Sequence, residues 1–169
     1  MKKSMATFAA GCFWGVEAAF RHIDGVVTTF VGYTGGHAEN PTYEQVCADN
    51  TGHAEAVQIE YDADKISYDA LLNTFWRCHN PTTLNRQGPD VGSQYRSIIF
   101  YHTQAQADAA KVSKKALQES GQWVKDIVTE IVPATTFYQA EDYHQRYLEK
   151  RGLSHCALKP PPRSGGENL

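Results

Sequence analysis

Apolar positions along this chain keep two rhythms, a period of two and a period near 3.6, and the switches between them mark out the elements. Ala6–Ala10 is nearly continuous in apolar or β-branched residues and stops at Gly11, the pattern of a short buried strand. Val16, Ala19, Phe20 and Ile23 then recur at helical spacing as far as Gly25, so a helix is expected to start at Cys12. Val26–Tyr33 is β-branched and alternating, and Gly35-Gly36 closes it. Ala54–Tyr61 alternates again, with Ala54, Ala56, Gln58 and Glu60 on one face and Glu55, Val57, Ile59 and Tyr61 on the other. The loop between these two strands is long and polar, a common carrier of function.

Ser67–Cys78 predicts an amphipathic helix on Leu71, Leu72, Phe75 and Trp76, with Ser67 as N-cap and Asn80-Pro81 beyond its end. Tyr95–Tyr101 reads as a strand, Gln104–Ser120 as a helix ended by Gly121, Ile127–Val132 as a last strand before Pro133, and Glu141–Lys150 as a short final helix. The order is β-α-β-β-α-β-α-β with a trailing helix, without internal repeats or heptads. It fits the α+β class: a two-layer α/β sandwich with a ferredoxin-like (α-β plait) core, an antiparallel-dominated sheet and helices on one face.

Composition narrows the picture further. A chain of 169 residues, 41% hydrophobic and 21% charged, fills one domain and is too short for two. Residues 1–150 are expected to form a single α+β domain carrying the chemistry. Past Arg151 the chain turns to Gly152, Pro160–Pro162 and Ser164-Gly165-Gly166, so 151–169 is expected to be a flexible coil tail. Sixteen basic against 19 acidic residues leave a net charge of −3 and give no electrostatic case for nucleic acid or an anionic membrane. No apolar run approaches the ~18 residues of a membrane span, so a soluble, cytoplasmic monomer acting on a small group or a short side chain is expected.

The four cysteines, Cys12, Cys47, Cys78 and Cys156, are separated by 31 residues or more, which excludes a Cys-x-x-Cys site. Cys12 stands out, because the unpaired N–H groups and the dipole at a helix start favour thiolate over thiol. Phe13 and Trp14 follow it between Gly11 and Gly15, and two adjacent aromatics cannot both point into one core stripe. One of them is left to line a pocket beside the thiolate, a wall suited to a methyl group. Glu55 shares its strand face with Val57 and Ile59, and burial there would raise its pKa and keep it protonated for proton donation. Tyr43, Asp90 and Tyr95 lie in Gly/Pro/Asn-rich loops, where spacing alone leaves their role open.

Seven histidines raise the question of a metal, yet no His-x-x-x-His pair occurs, and His53 with Glu55 lacks a third ligand. No metal and no cofactor is expected. His22, His102, His144 and His155 read as surface residues. Two other readings compete: a cysteine hydrolase using Cys12 with His53 as base, and a lipid-anchored module in which Lys2, Lys3 and Met5–Cys12 are a truncated lipoprotein signal. The apolar segment of that signal is shorter than the ~7–15 residues such signals use, and a helix start rather than a polar tether follows Cys12.

At Gly11-Cys12-Phe13-Trp14-Gly15 the chain resembles the A-type peptide methionine sulfoxide reductases. The likeness continues through Val31–Gly36, Asn40–Tyr43, Thr51–Glu55, Pro81–Thr83, Arg86–Gly88 and Gln94–Ser97, an ordered set far more specific than any one member. The resemblance implies Cys12 as nucleophile, Phe13 and Trp14 as the methyl pocket, Glu55 as proton donor, and Tyr43, Asp90 and Tyr95 as groups that orient the substrate. It also implies selectivity for the S epimer and thioredoxin as reductant. Attack by Cys12 would release methionine and leave a sulfenic acid, which condenses readily with a nearby thiol. Tail mobility and the family pattern favour Cys156 as that resolving thiol, while Cys47, close to the Tyr43 loop, and Cys78 remain competitors. The chain departs from the family at Asn80, where Asp is usual, and residues 157–169 lack the second recycling cysteine of some members.

Overall fold

The computed structural model describes residues 1–152. In chain order these form β1 (Lys3–Ala10), α1 (Phe13–Arg21), β2 (Val26–Thr34), α2 (Tyr43–Cys47), β3 (Ala54–Asp62) and α3 (Tyr68–Arg77). A small hairpin of β4 (Arg86–Gln87) and β5 (Asp90–Val91) and a 3-10 turn at Ser93–Tyr95 lead into β6 (Ser97–Tyr101) and α4 (Gln104–Glu119). β7 (Glu130–Pro133), β8 (Tyr138–Gln139), a 3-10 turn at Asp142–His144 and α5 (Tyr147–Lys150) complete the described residues.

The six-stranded sheet has the order β7-β6-β1-β3-β2-β8. Its four central strands pair antiparallel with the connectivity of the expected plait. β7 adds parallel to β6 through α4, and β8 adds antiparallel to β2. Alternation decides which residues face the helices: Ala6, Phe8 and Ala10 of β1, Val31 and Tyr33 of β2, and Val57, Ile59 and Tyr61 of β3 join Phe20, Leu71, Leu72 and Phe75 in the main core. Ala9, Ala54, Ala56, Ile98 and Phe100 face the other way, under Val132, Ala134 and Phe137. α3 forms as expected, with Ser67 Oγ accepting the Ala70 N–H and Leu71, Leu72, Phe75 and Trp76 buried.

Phe8 stands at the centre of this core, its ring 5.3 Å from that of Phe20, 5.1 Å from Phe75 and 6.0 Å from Tyr68. Phe8→Ala is expected to cost about 3–5 kcal/mol, read as a lower urea midpoint with an unchanged slope.

β1 starts at Lys3 rather than Ala6, because Lys3, Ser4 and Met5 pair with Asp62, Tyr61 and Glu60 of β3, and three later boundaries also differ from the sequence expectation. Tyr95 is not in β6: it closes the 3-10 turn, which Arg96 holds through its bonds to Ser93 O and Gly52 O, both 2.9 Å. The last parallel strand starts at Glu130, because the Ile127 N–H is taken by Gln118 Oε1 (2.7 Å) and the Val128 N–H by Pro81 O (2.8 Å). The final helix is broken at Gln145-Arg146. The Gln145 side-chain amide bonds both Val31 N–H and Val31 C=O at 2.9 Å, and Arg146 adopts a left-handed φ of 50°. The buried carboxylate of Glu17 receives the Arg146 N–H (2.7 Å) and the Thr29 hydroxyl (2.8 Å), tying this break to α1 and β2.

Candidate active site

β1 delivers the chain to Gly11, whose φ of +98° suits glycine and where a Cβ would stand 2.7 Å from Gln87 Cγ. The turn brings Cys12 to the N-cap of α1, half-buried, with its carbonyl accepting the Val16 N–H. The thiol thus sits at the positive end of a helix.

The next amide, Phe13 N–H, donates 3.2 Å to Oε1 of Glu55. Glu55 projects from β3 toward the helices, 1% exposed, and among the described residues no group hydrogen-bonds its Oε2. Burial pushes its pKa up to about 8, against the Phe13 amide and with help from the negative charge of Asp90. At neutral pH this carboxyl is largely protonated.

The structure brings the remaining predicted residues to the same place. Phe13 is buried and Trp14 half-buried, so the two adjacent rings do not share one core stripe. The Phe13 ring lies 5.7 Å from that of Tyr33 and 6.5 Å from that of Tyr43. Tyr43 opens α2, whose capping box joins Thr42 and Gln45 in both directions. Tyr95 has its acidity suppressed by burial and then by Glu55, Cys47, Asp90 and Cys12, which sets all four near its hydroxyl. Burial, a bond shared with Cys47 and the Glu55 charge do the same for Tyr43. Both phenols stay protonated and can donate.

Asp90 stands on β5, its pKa raised by burial. Its hairpin is fixed by Gln87, whose side chain accepts the Asn80 N–H (2.9 Å) and donates to Asn80 O (2.8 Å). Asn80 Oδ1 in turn accepts from the Thr82 N–H and hydroxyl, so the residue that departs from the family pattern works as a turn cap.

The other cysteines separate cleanly. Cys78 packs against the core, its thiol donates to Phe75 O and burial pushes its pKa up to about 12. Cys47 is exposed on α2 beside Tyr43. Cys156 lies outside the described residues. His53 has both ring nitrogens engaged, Nδ1 accepting the Gly36 N–H (2.9 Å) and Nε2 donating to Ala38 O (2.6 Å), which leaves no lone pair for a hydrolase base. Among the described residues no three His, Cys, Asp or Glu side chains converge as a metal site, and no helix is long and apolar enough to cross a membrane.

His144 corrects the expectation of a surface residue: it is fully buried, 4.5 Å from the Tyr43 ring and 5.2 Å from the Phe13 ring. Glu141 is a second participant unforeseen in the sequence, its carboxylate accepting the Tyr33 hydroxyl (2.8 Å) and the Tyr43 N–H (3.0 Å). Only α2 carried a local signal that could have been read, the Thr-x-x-Gln box at Thr42–Gln45.

A thiol at a helix start beside a neutral buried carboxyl, walled by aromatic rings and two phenols, defines a cysteine-dependent enzyme of an α+β fold. Residues 4–165 match the family model of the peptide methionine sulfoxide reductases, and the chain belongs to that family. The peptide methionine sulfoxide reductase MsrA of Methanothermobacter thermautotrophicus is 62% identical over 153 residues, 90% of each chain. The reduced form of Mxr1 from Saccharomyces cerevisiae superposes with a TM-score of 0.87 at 37% identity, covering 96% of this chain and 93% of that one. Mxr1 in complex with Trx2 gives a TM-score of 0.64 at 28% identity, over 96% and 91% of the two chains.

Proposed function

We propose that this chain reduces the S epimer of methionine sulfoxide, free or in peptides, by direct attack of the Cys12 thiolate on the sulfoxide sulfur. Sulfoxide sulfur becomes electrophilic when its oxygen is protonated or strongly hydrogen-bonded. Glu55 supplies that proton, and Tyr43 and Tyr95 donate to the same oxygen while Asp90 orients the polar part of the substrate. Phe13 and Trp14 receive the S-methyl group. Attack forms a bond between the Cys12 sulfur and the substrate sulfur; as the protonated oxygen passes to the Cys12 sulfur, that bond and the substrate sulfur–oxygen bond both break, and methionine leaves with Cys12 as sulfenic acid. The Cys156 thiol displaces water from that acid to form a disulfide, and a thioredoxin dithiol reduces the disulfide to two thiols. Mxr1, whose complex with Trx2 has this fold, supports the choice of reductant. We read the chain as a cytoplasmic monomer, since a thiol cycle of this kind suits the reducing cytoplasm.

One observation carries the reading: a buried carboxyl, its pKa pushed up to about 8 by that burial, holds one oxygen on the amide next to Cys12, and among the described residues no group bonds the other. With dithiothreitol as electron source, the S epimer of a blocked methionine sulfoxide is expected to be turned over and the R epimer left untouched. Chiral chromatography of the residual sulfoxide checks this; equal consumption of both epimers, or of neither, would sink the assignment.

A further inference from the structure

The segment that closes the described fold touches the site from behind through one short turn. Glu141 and His144 are the two ends of that turn, joined by the His144 N–H to Glu141 O bond of 2.9 Å. Each sends its side chain to a different wall. One oxygen of Glu141 takes the Tyr43 N–H, the first helical amide of α2, and the other takes the Tyr33 hydroxyl of β2. His144 Nδ1 accepts the Trp14 indole N–H at 2.9 Å, and its ring is enclosed by Phe13, Trp14, Tyr43 and Tyr143. Tyr147, the first residue of α5 after the break, stacks flat on Trp14 at 3.8 Å.

The turn does not depend on its own backbone for position. Gln145 is bonded to both polar groups of Val31, and Arg146 N–H to the buried Glu17. A carboxylate and a completely buried imidazole are costly choices where apolar side chains would pack as well. What they provide and apolar side chains do not is direction. The Glu141 bonds fix where α2 begins, and the His144 acceptor fixes the in-plane rotation of the Trp14 indole.

We propose that the Glu141–His144 turn is a positioning brace for the reaction, in which Glu141 sets Tyr43 against the sulfoxide oxygen and His144 sets the Trp14 wall of the methyl pocket. The proposal rests on the roles given above to Tyr43 and Trp14. It divides the two kinetic constants between two residues that touch no reacting atom. Loss of a donor that acts on the developing charge lowers the rate of the chemical step, whereas loss of a wall that binds substrate and transition state alike raises KM.

Glu141→Leu removes the acceptor of both the Tyr43 N–H and the Tyr33 hydroxyl. It is expected to lower the single-turnover rate about 10-fold with KM within about twofold. His144→Leu is expected to raise KM about 10-fold at nearly unchanged kcat. His144→Asn, whose Oδ1 can accept where Nδ1 does, is expected to recover most of that loss. The decisive measurement is a cycle: Glu141→Leu in a Tyr43→Phe background, and His144→Leu in a Trp14→Phe background, are expected to add little to the parent variant. Circular dichroism and urea midpoints confirm that each variant folds.

Impaired Tyr43→Phe and Trp14→Phe with fully additive Glu141 and His144 effects would overturn the brace and leave the site reading in place. Silent Tyr43→Phe and Trp14→Phe would overturn both. Changes in which kcat and KM move together in both brace variants would also overturn the division of labour.

Discussion

Cys12→Ser is expected to abolish reduction of methionine S-sulfoxide under every reductant, while Cys156→Ser is expected to retain one reductive event per chain and lose thioredoxin-driven cycling. A serine hydroxyl placed at the N-cap of α1 does not ionise near neutral pH, so the helix end has no anion to stabilise and the sulfoxide sulfur no attacking group. The second variant still has the nucleophile and the acid, so methionine is released and the cycle halts at the sulfenic acid. Rapid quench with counting of methionine per chain separates the two: none for Cys12→Ser, one equivalent for Cys156→Ser. Full thioredoxin cycling in Cys156→Ser would transfer the resolving role to Cys47, which stands exposed beside Tyr43, rather than to Cys78, whose thiol is packed and strongly resistant to ionising.

Glu55→Gln is expected to slow single-turnover reduction about 10²–10⁴-fold, the usual worth of a positioned proton donor. The amide oxygen of glutamine can still accept the Phe13 N–H, so the fold and the Cys12 turn are retained while the transferable proton is gone. The same carboxyl governs two pH dependences of the same sign. In activity, the protonated form works, and its contribution falls as pH climbs through about 8. In stability, a group whose pKa rises on folding contributes most below its unfolded value near 4.5 and loses that contribution as pH rises through about 8, where folding must bury a charge. The glutamine variant lacks this penalty. Its melting temperature is expected to gain on the wild type between pH 5 and 8 and to stay above it at higher pH. Melts across that range decide the point: a constant gap would mean that Glu55 titrates alike in the folded and unfolded chain.

The residues that sequence alone identified share one property, that their environment is written locally. Cys12 follows a strand stop at glycine and precedes a helical period. Glu55 alternates in step with Val57 and Ile59, so its face, and hence its burial, follows from the period of two. The plait core is legible for the same reason. Tyr43, Asp90 and Tyr95 fall on the five-residue α2, the two-residue β5 and a 3-10 turn, elements too short for a period to show direction, and the family resemblance rather than spacing promoted them.

What stayed hidden is set by contacts between distant parts of the chain. His144 lies in the polar run Glu141–Arg146 and looks solvated, yet it is buried because Trp14, 130 positions earlier, needs an acceptor. The same run reads as one helix until the Gln145 side chain is drawn out to Val31, 114 positions away, and breaks it. Tyr95 reads as strand because tyrosine is common there, but Arg96 draws the turn back onto Gly52. Even α2, which has a local signal, is only five residues long and falls below the length at which a helical period can be recognised.

The Gln145 amide has a consequence for how these molecules share a crowded solution. β8 pairs with β2 at Gly32 and Tyr33, and the Ala140 N–H adds one more backbone bond to Val31 O, so toward its start the outer side of β2 would be an open row of backbone donors and acceptors. Such a row is a template on which a second chain can add a strand. A side-chain amide carries one donor and one acceptor with nearly the spacing of a peptide group, and Gln145 sets it against Val31 where the next strand residue would lie. The ladder therefore ends at Val31 on a side chain, and a strand that lengthened it toward the exposed Val27 and Phe30 would first have to displace Gln145.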